Sequence, residues 1–250
     1  MLLYFGRKGL NRADAWREKP WGDDFIKQIF PSRRRFDDIF ACWHMVDNDH
    51  FSAKDRRADK YWQSRPLILM AQKSFRECYI AFQRLGLDEQ VHACKVRHPA
   101  KQFNPAKPAK WHIKNFVLAD TKNGFIVEFH PYQGKDAENT NNLGLADFAV
   151  TKLVTERFWD KKYLVGYDNW FSTERNHDHS AEKKYIVTTT FRKNRKGFPP
   201  KSQLTLERDA PRGSYKVLKH PTKEVILITY TTNVSQEYSD HCSHITFRTN

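Results

Sequence analysis

Cysteine is scarce in this chain: there are four in 250 residues, Cys42, Cys78, Cys94 and Cys242, with no Cys-x-x-Cys spacing. That excludes a disulfide framework and predicts reduced thiols in an intracellular compartment. Long apolar runs are missing as well. The longest, Pro66-Leu67-Ile68-Leu69-Met70-Ala71, falls far short of the roughly 20 residues a bilayer needs, so no membrane partner is expected. Neither a Gly-x-Ser-x-Gly elbow nor a Walker sequence is present, which removes two common catalytic signatures. Residues Met1 to Arg7 lack a basic stretch ahead of a long apolar core, so no secretory leader is expected. Acid is also in short supply: 29 Asp and Glu face 43 Lys and Arg, for a net charge of +14 and a pI of about 9.6. Such an excess favours a polyanionic partner, nucleic acid above all.

Apolar residues make up 39% of the chain, enough to bury a core and to exclude a disordered class. The first third reads as helical. Phe25, Ile26, Ile29 and Phe30 follow Asp23, and Pro31 stops that run. Ser32 is placed to cap a second helix with Phe36, Ile39, Phe40 and Trp43 on one face and Arg33, Arg34 and Arg35 opposite. Asp47 to Arg65 is polar and aperiodic and reads as a loop. Leu67, Ile68, Ala71, Phe75, Cys78, Tyr79 and Phe82 trace one helical stripe, and these apolar faces read as core.

The pattern changes at Gly86. Leu85 to Glu89 reads as a short strand ending in carboxylates. Lys114 to Asp120 and Phe125 to His130 flank Asn123-Gly124, which predicts a hairpin closed by a primed turn with positive φ at both central residues. An amphipathic helix follows over Leu143 to Phe158, with Leu145, Phe148, Ala149, Leu153 and Val154 inward. Tyr163 to Asp168 and Tyr185 to Thr190 read as further strands, giving a mixed α/β layer. Short strands return at Ser214 to Leu218 and Glu224 to Tyr230, and the polar tail from Thr231 gives no element.

Asp88 and Asp168 each sit at the end of an apolar strand, where two carboxylates can converge on a hard divalent cation. A pair of such ions serves phosphodiester chemistry. Lys95, Arg97, Lys101, Lys107, Lys110 and Lys114 lie in a stretch without acid, interleaved with Phe103 and Trp111. Arg192, Lys193, Arg195, Lys196 and Lys201 repeat the pattern beside Phe198. Both segments suit contact with a nucleic-acid backbone, against the alternative of a merely solvated face. His177-Asp178-His179 and His241-Cys242-Ser243-His244 lack a second ligand pair at finger-like spacing and read as exposed histidines rather than zinc ligands.

Taken together, these segments resemble the piggyBac family of DNA transposases. The resemblance rests on Leu87-Asp88-Glu89, Arg97-His98, Lys101-Gln102-Phe103, Lys107-Pro108-Ala109-Lys110-Trp111, Leu118-Ala119-Asp120 and Thr121-Lys122-Asn123-Gly124. It continues through Tyr132-Gln133-Gly134-Lys135, Asp168-Asn169-Trp170-Phe171-Ser172 and Arg192 to Pro199, and Ser32 to Asn48 looks like the family's helix upstream of the catalytic domain. The resemblance implies an α/β, RNase H-like mixed sheet with flanking helices at 84–191, preceded by a helical region at 1–83 for DNA binding or dimerisation. A partial β-rich insertion and tail would occupy 192–250. It implies Mg²⁺ (or Mn²⁺), cleavage and joining of transposon ends at TTAA targets, a homodimer and a nuclear location. Asp88 and Asp168 map onto the first two of three catalytic aspartates and metal ligands; Lys95, Arg97, Lys101, Lys107, Lys110, Arg192, Lys193, Arg195 and Lys196 are the DNA-binding candidates by their basic, acid-free setting.

Two departures stand out. The family's third aspartate lies in a Gly-Gly-Val-Asp-like segment that this sequence does not contain, and nothing around Asp209, Glu237 or Asp240 replaces it; its Cys-rich module is also missing. After Ser172 the family has a leucine-rich helix, whereas Thr173 to Glu182 has no apolar stripe to dock on a sheet. The expectation is therefore a transposase-derived domain with an incomplete carboxylate set. A metal-dependent nuclease, a DNA-binding remnant and an interaction module with solvated basic faces stay in play.

Overall fold

The computed structural model describes residues 5, 8–18, 20, 22–134, 142–191, 199, 203, 206–207, 210–219, 225–230 and 243–247, the backbone alone for Val225, Tyr230 and 243–247. The chain divides into two compact units, Met1–His50 and Phe51–Asn250. The helical region expected over 1–83 straddles that division.

In the first unit, Asp23 accepts from the Ile26 amide at 3.0 Å and starts α1 (Asp24–Ile29). Ser32 accepts from the Arg35 amide at 3.2 Å and starts α2 (Arg33–Ala41). Phe5, Ala15, Ile26 and Phe36 form a small core, with Leu10, Trp16 and Phe30 packed against it. The helical stripe expected to be core is buried only at Phe36; Ile39, Phe40 and Trp43 stay exposed, as do Phe25 and Ile29. So few buried residues cover only one edge of a nine-residue helix.

In the second unit, the stretch expected to be a loop holds a short helix, α3 (Ala53–Ala58). Ser52 and Asp55 make a reciprocal capping box there, a local signal that substitutes for hydrophobic periodicity. α4 (Arg65–Cys78) follows. It lays Phe75 against Phe125 and Phe129 at ring separations of 5.5 and 5.8 Å, and Gln72 donates to the Phe129 carbonyl at 2.7 Å. The helix stops at Cys78, so the predicted stripe breaks there. Tyr79 is extended and stacks on Phe125 at 4.1 Å, while Leu67, Cys78 and Phe82 of that stripe are exposed rather than core, as are Leu69 and Met70 beside it.

A nine-stranded sheet dominates this unit. Its strands are β1 (Arg84–Ala93), β2 (Gln102–Phe103), β3 (Trp111–Asp120), β4 (Ile126–Pro131), β5 (Leu164–Tyr167), β6 (Ile186–Thr190), β7 (Tyr215–Lys219), β8 (Val225–Tyr230) and β9 (Ser243–Phe247). β1 pairs antiparallel with β3 and parallel with β5, and β5 runs parallel with β6. β2 and β4 pair with the outer edge of β3. β9 then pairs antiparallel with β6, β8 with β9 and β7 with β8. β9, which lies in the tail expected to have no element, welds this second set of strands to the first. Its partner β6 is remote in sequence, so a local pattern does not announce that pairing.

β1 does not end at its carboxylates but runs on to Ala93. The β3–β4 hairpin forms as expected, but not with the expected turn. Residues 121–125 make a longer loop, in which the Gly124 amide donates to the Asp120 carbonyl at 2.8 Å, and only Gly124, at φ +73, has left the right-handed regions. Asn123 instead uses its side chain, accepting from the Phe125 amide and donating to the Tyr79 hydroxyl. A register shift at Leu118/Ala119 absorbs the extra length.

α5 (Leu145–Leu153) packs on β3 and β4 through Ala146, Phe148, Ala149, Val150 and Leu153, joining Leu85, Leu87, Phe116, Leu118, Val165 and Val187 in the main core. The helix expected to reach Phe158 stops at Leu153, before a 3-10 turn over Glu156–Phe158. α6 (Glu174–Lys183) forms where no apolar stripe exists, and it docks with polar groups. Buried Asn176 donates to the Phe171 carbonyl at 2.7 Å, buried His177 contacts the Ser172 hydroxyl at 3.2 Å, and buried Ser180 donates to the His177 carbonyl at 2.7 Å. His177 and His179 are thus not the exposed histidines expected. Burial lowers the His179 pKa and raises that of Tyr185. The His179 Nδ1 and the Tyr185 hydroxyl are hydrogen-bonded at 2.9 Å.

Candidate metal centre and nucleic-acid surface

The parallel register of β1 and β5 pairs Arg84 with Leu164 and Leu87 with Tyr167. One residue further, Asp88 and Asp168 fall at equivalent positions on neighbouring chains, which run about 4.8 Å apart in a sheet. Leu85, Leu87, Val165 and Tyr167 point into the core, so by alternation both aspartates project from the opposite face. Gly86 and Gly166 lie two residues before them on that face.

Both carboxylates are exposed. Among the described residues, Asp88 accepts from the next amide, Glu89, at 2.7 Å, and Asp168 accepts from the Trp170 amide at 2.8 Å, closing an Asx turn. The Asp168 carbonyl in turn accepts from the Phe171 amide at 3.2 Å and from the Thr189 hydroxyl of β6 at 3.2 Å, which fixes the turn to the sheet. No Lys or Arg among the described residues pairs with either aspartate. Two oxygen donors in register, without a cation of their own, fit one hard divalent ion. Among the described residues, no group of three His, Cys, Asp or Glu is placed to hold a metal. The sequence's other candidate acids, Asp209, Glu237 and Asp240, lie outside those residues.

Lys114, counted with the basic surface on sequence grounds, is an interior residue whose side chain is only 15% exposed. Its ammonium bonds Glu89 at 2.8 Å and sits 4.6, 5.2 and 5.1 Å from the rings of Phe116, Tyr132 and Trp170. Glu89 follows Asp88 and Trp170 follows Asp168 by two, so this cage of rings ties together the two backbones that carry the aspartates. An aromatic two residues beyond a strand-end aspartate is the one sequence signal that hints at it.

The remaining basic residues of this segment occupy the connection from β1 to β3. Lys95, Arg97 and Lys110 are exposed; Lys101 and Lys107 are half-buried. Lys101 donates to the Val96 carbonyl at 2.9 Å and lies 5.2 Å from the Trp111 ring. Arg192, Lys193, Arg195 and Lys196 lie outside the described residues.

A central strand with an antiparallel hairpin on one side and two parallel, helix-connected strands on the other defines the class: this is an RNase H-like fold. Residues 1–248 match the family described as Transposase IS4, and the chain belongs to that family, as a piggyBac-like transposase-derived domain. It is 28% identical over 187 residues to PiggyBac transposable element-derived protein 3 of Homo sapiens, covering 73% of this chain and 30% of that protein. It is 24% identical over 220 residues to PiggyBac transposable element-derived protein 2 of Homo sapiens, covering 86% and 36%. The cryo-EM structure of the piggyBac transposase synaptic complex with hairpin DNA superposes with a TM-score of 0.78 at 21% identity, over 95% of this chain and 47% of that one. The chain therefore spans about a third of the length of these curated relatives.

Proposed function

We propose that this domain binds DNA with the basic surface around the β1–β3 connection and holds a single divalent cation, Mg²⁺ or Mn²⁺, between Asp88 and Asp168. On this reading the chain by itself does not cut or rejoin strands. The observation that supports it is the register of β1 and β5, which pairs Leu87 with Tyr167, the residues immediately before Asp88 and Asp168.

When bound, such a cation activates an attacking hydroxyl and steadies a leaving oxygen, and strand transfer uses two ions. Two carboxylates hold one ion; a second needs a third acid, which the described residues do not offer. Asp88 and Asp168 act as ligands, the Lys114–Glu89 pair and its rings hold their backbones in place, and Lys95, Arg97, Lys101, Lys107 and Lys110 contact phosphates. Arg192, Lys193, Arg195 and Lys196 are assigned the same role from their acid-free basic sequence. A DNA partner with TTAA-flanked ends, a homodimer and a nuclear location belong to the same proposal.

Incubating supercoiled plasmid with the purified chain and Mg²⁺ or Mn²⁺ tests it. The expected result is no nicking above background; nicking abolished by Asp88→Ala or Asp168→Ala would show a working enzyme instead. Duplex affinity is expected to fall steeply between about 50 and about 200 mM salt. Affinity indifferent to salt would favour a merely solvated basic face.

A further inference from the structure

Phe103 and Trp111 are large aromatic residues that the fold leaves in water. They face each other across the β2–β3 pair, their ring centroids lie 4.7 Å apart with planes at 46°, and each is 54% exposed. Their surroundings carry one sign of charge: from Lys95 to Lys114 there are six Lys and Arg and no acid, and the Lys101 ammonium sits 5.2 Å from the Trp111 ring. Such a rim repels a second copy of this basic chain and attracts a polyanion.

Strand alternation places the pair. Asp88 is opposite Val117 in the β1–β3 register, and Trp111 is six residues from Val117, an even number, so Trp111 shares the face of Asp88. Phe103 pairs with Trp111 and lies there too. At about 3.3 Å per residue the rings stand about 20 Å from Asp88 along the sheet, a span one nucleic-acid strand covers in about six nucleotides at helical rise.

We infer that Phe103 and Trp111 form a stacking platform for an unpaired nucleobase, on the same track of nucleic acid that passes the two aspartates. This rests on the DNA-binding reading and sharpens it to a substrate with a single-stranded portion. Bases within a duplex have both faces occupied by their neighbours, whereas an unpaired base has a free face, and stacking it on an aromatic ring inside a basic groove is the general mode of single-strand capture.

The test compares oligothymidylate of about 12 nucleotides with a duplex of equal length, by fluorescence anisotropy on the full chain. Trp111→Leu and Phe103→Leu should each weaken single-strand binding by about tenfold and change duplex binding by less than about twofold. Trp111→Phe should retain most of the single-strand affinity, while Lys95→Ala with Lys110→Ala should weaken both forms alike. Circular dichroism melts check that each variant folds; if one does not, the other ring's variant carries the comparison. Equal losses on both forms, or none on either, would overturn the platform. If wild type binds duplex with steep salt dependence and the ring variants stay silent, only the platform fails. If it binds neither form, the DNA-binding reading fails with it.

Discussion

The two faces of the sheet hold their carboxylates in opposite ways. On the core face, Asp120 is fully buried, accepting from the Phe82 and Lys122 amides at 2.6 and 2.9 Å and from the Tyr79 hydroxyl at 2.9 Å. Glu128, 2% exposed, takes a two-pronged contact from Arg76 at 2.7 and 2.9 Å. On the open face, Asp88 and Asp168 have one neighbouring amide each. A buried carboxylate is tolerated only when its charge is answered by hydrogen bonds or a cation, so the first pair serves the fold. The second pair costs the fold little and is available to a ligand.

Mutation can break or sharpen this contrast. The largest effect should come from the core side of β1 itself: Leu87, 2% exposed, changed to Ala should lose about 3 kcal/mol in denaturant melts. Arg76→Ala strands the Glu128 charge inside the protein and should cost about 2 kcal/mol. Combining it with Glu128→Gln should cost less than the sum of the two single changes.

Asp120 should impose a pH dependence. Burial raises its pKa, but the Lys122 and Phe82 amides and the Tyr79 hydroxyl outweigh burial and hold the carboxyl below its ordinary value. A depressed carboxylate contributes stability that is present above its unfolded pKa of about 3.9 and is lost as pH falls through the folded value. Melts taken from pH 6 down towards about pH 2 should show wild type losing stability more steeply than Asp120→Asn. The smallest effect belongs to the open face: Asp88→Asn and Asp168→Asn should change stability by less than about 0.5 kcal/mol. A large loss there would erase the contrast.

Much of this was legible in the residues. Alternation and turn signals mark the β3–β4 hairpin, β5 and β6, and the apolar stripe marks α5. Apolar runs leading into Asp88 and Asp168 draw attention to both before any register is known, although β1 continues past Asp88. What stayed hidden depends on distant partners. α6 is anchored through Asn176 and His177 to Phe171 and Ser172, hydrogen bonds that leave no hydrophobic period. β9 acquires its meaning only from β6 and β8, and Lys114 looks like one more surface charge until three rings close around it. The exposed flanks of α2 and α4 are a matter of which surfaces meet, which periodicity does not encode.

The shared cation is tested most directly by titrating the chain with Mn²⁺ and following free Mn²⁺ by electron paramagnetic resonance. The account predicts one ion bound per chain, lost in Asp88→Asn and equally in Asp168→Asn, with both variants melting like wild type. An ion retained when either aspartate is neutralised would contradict it.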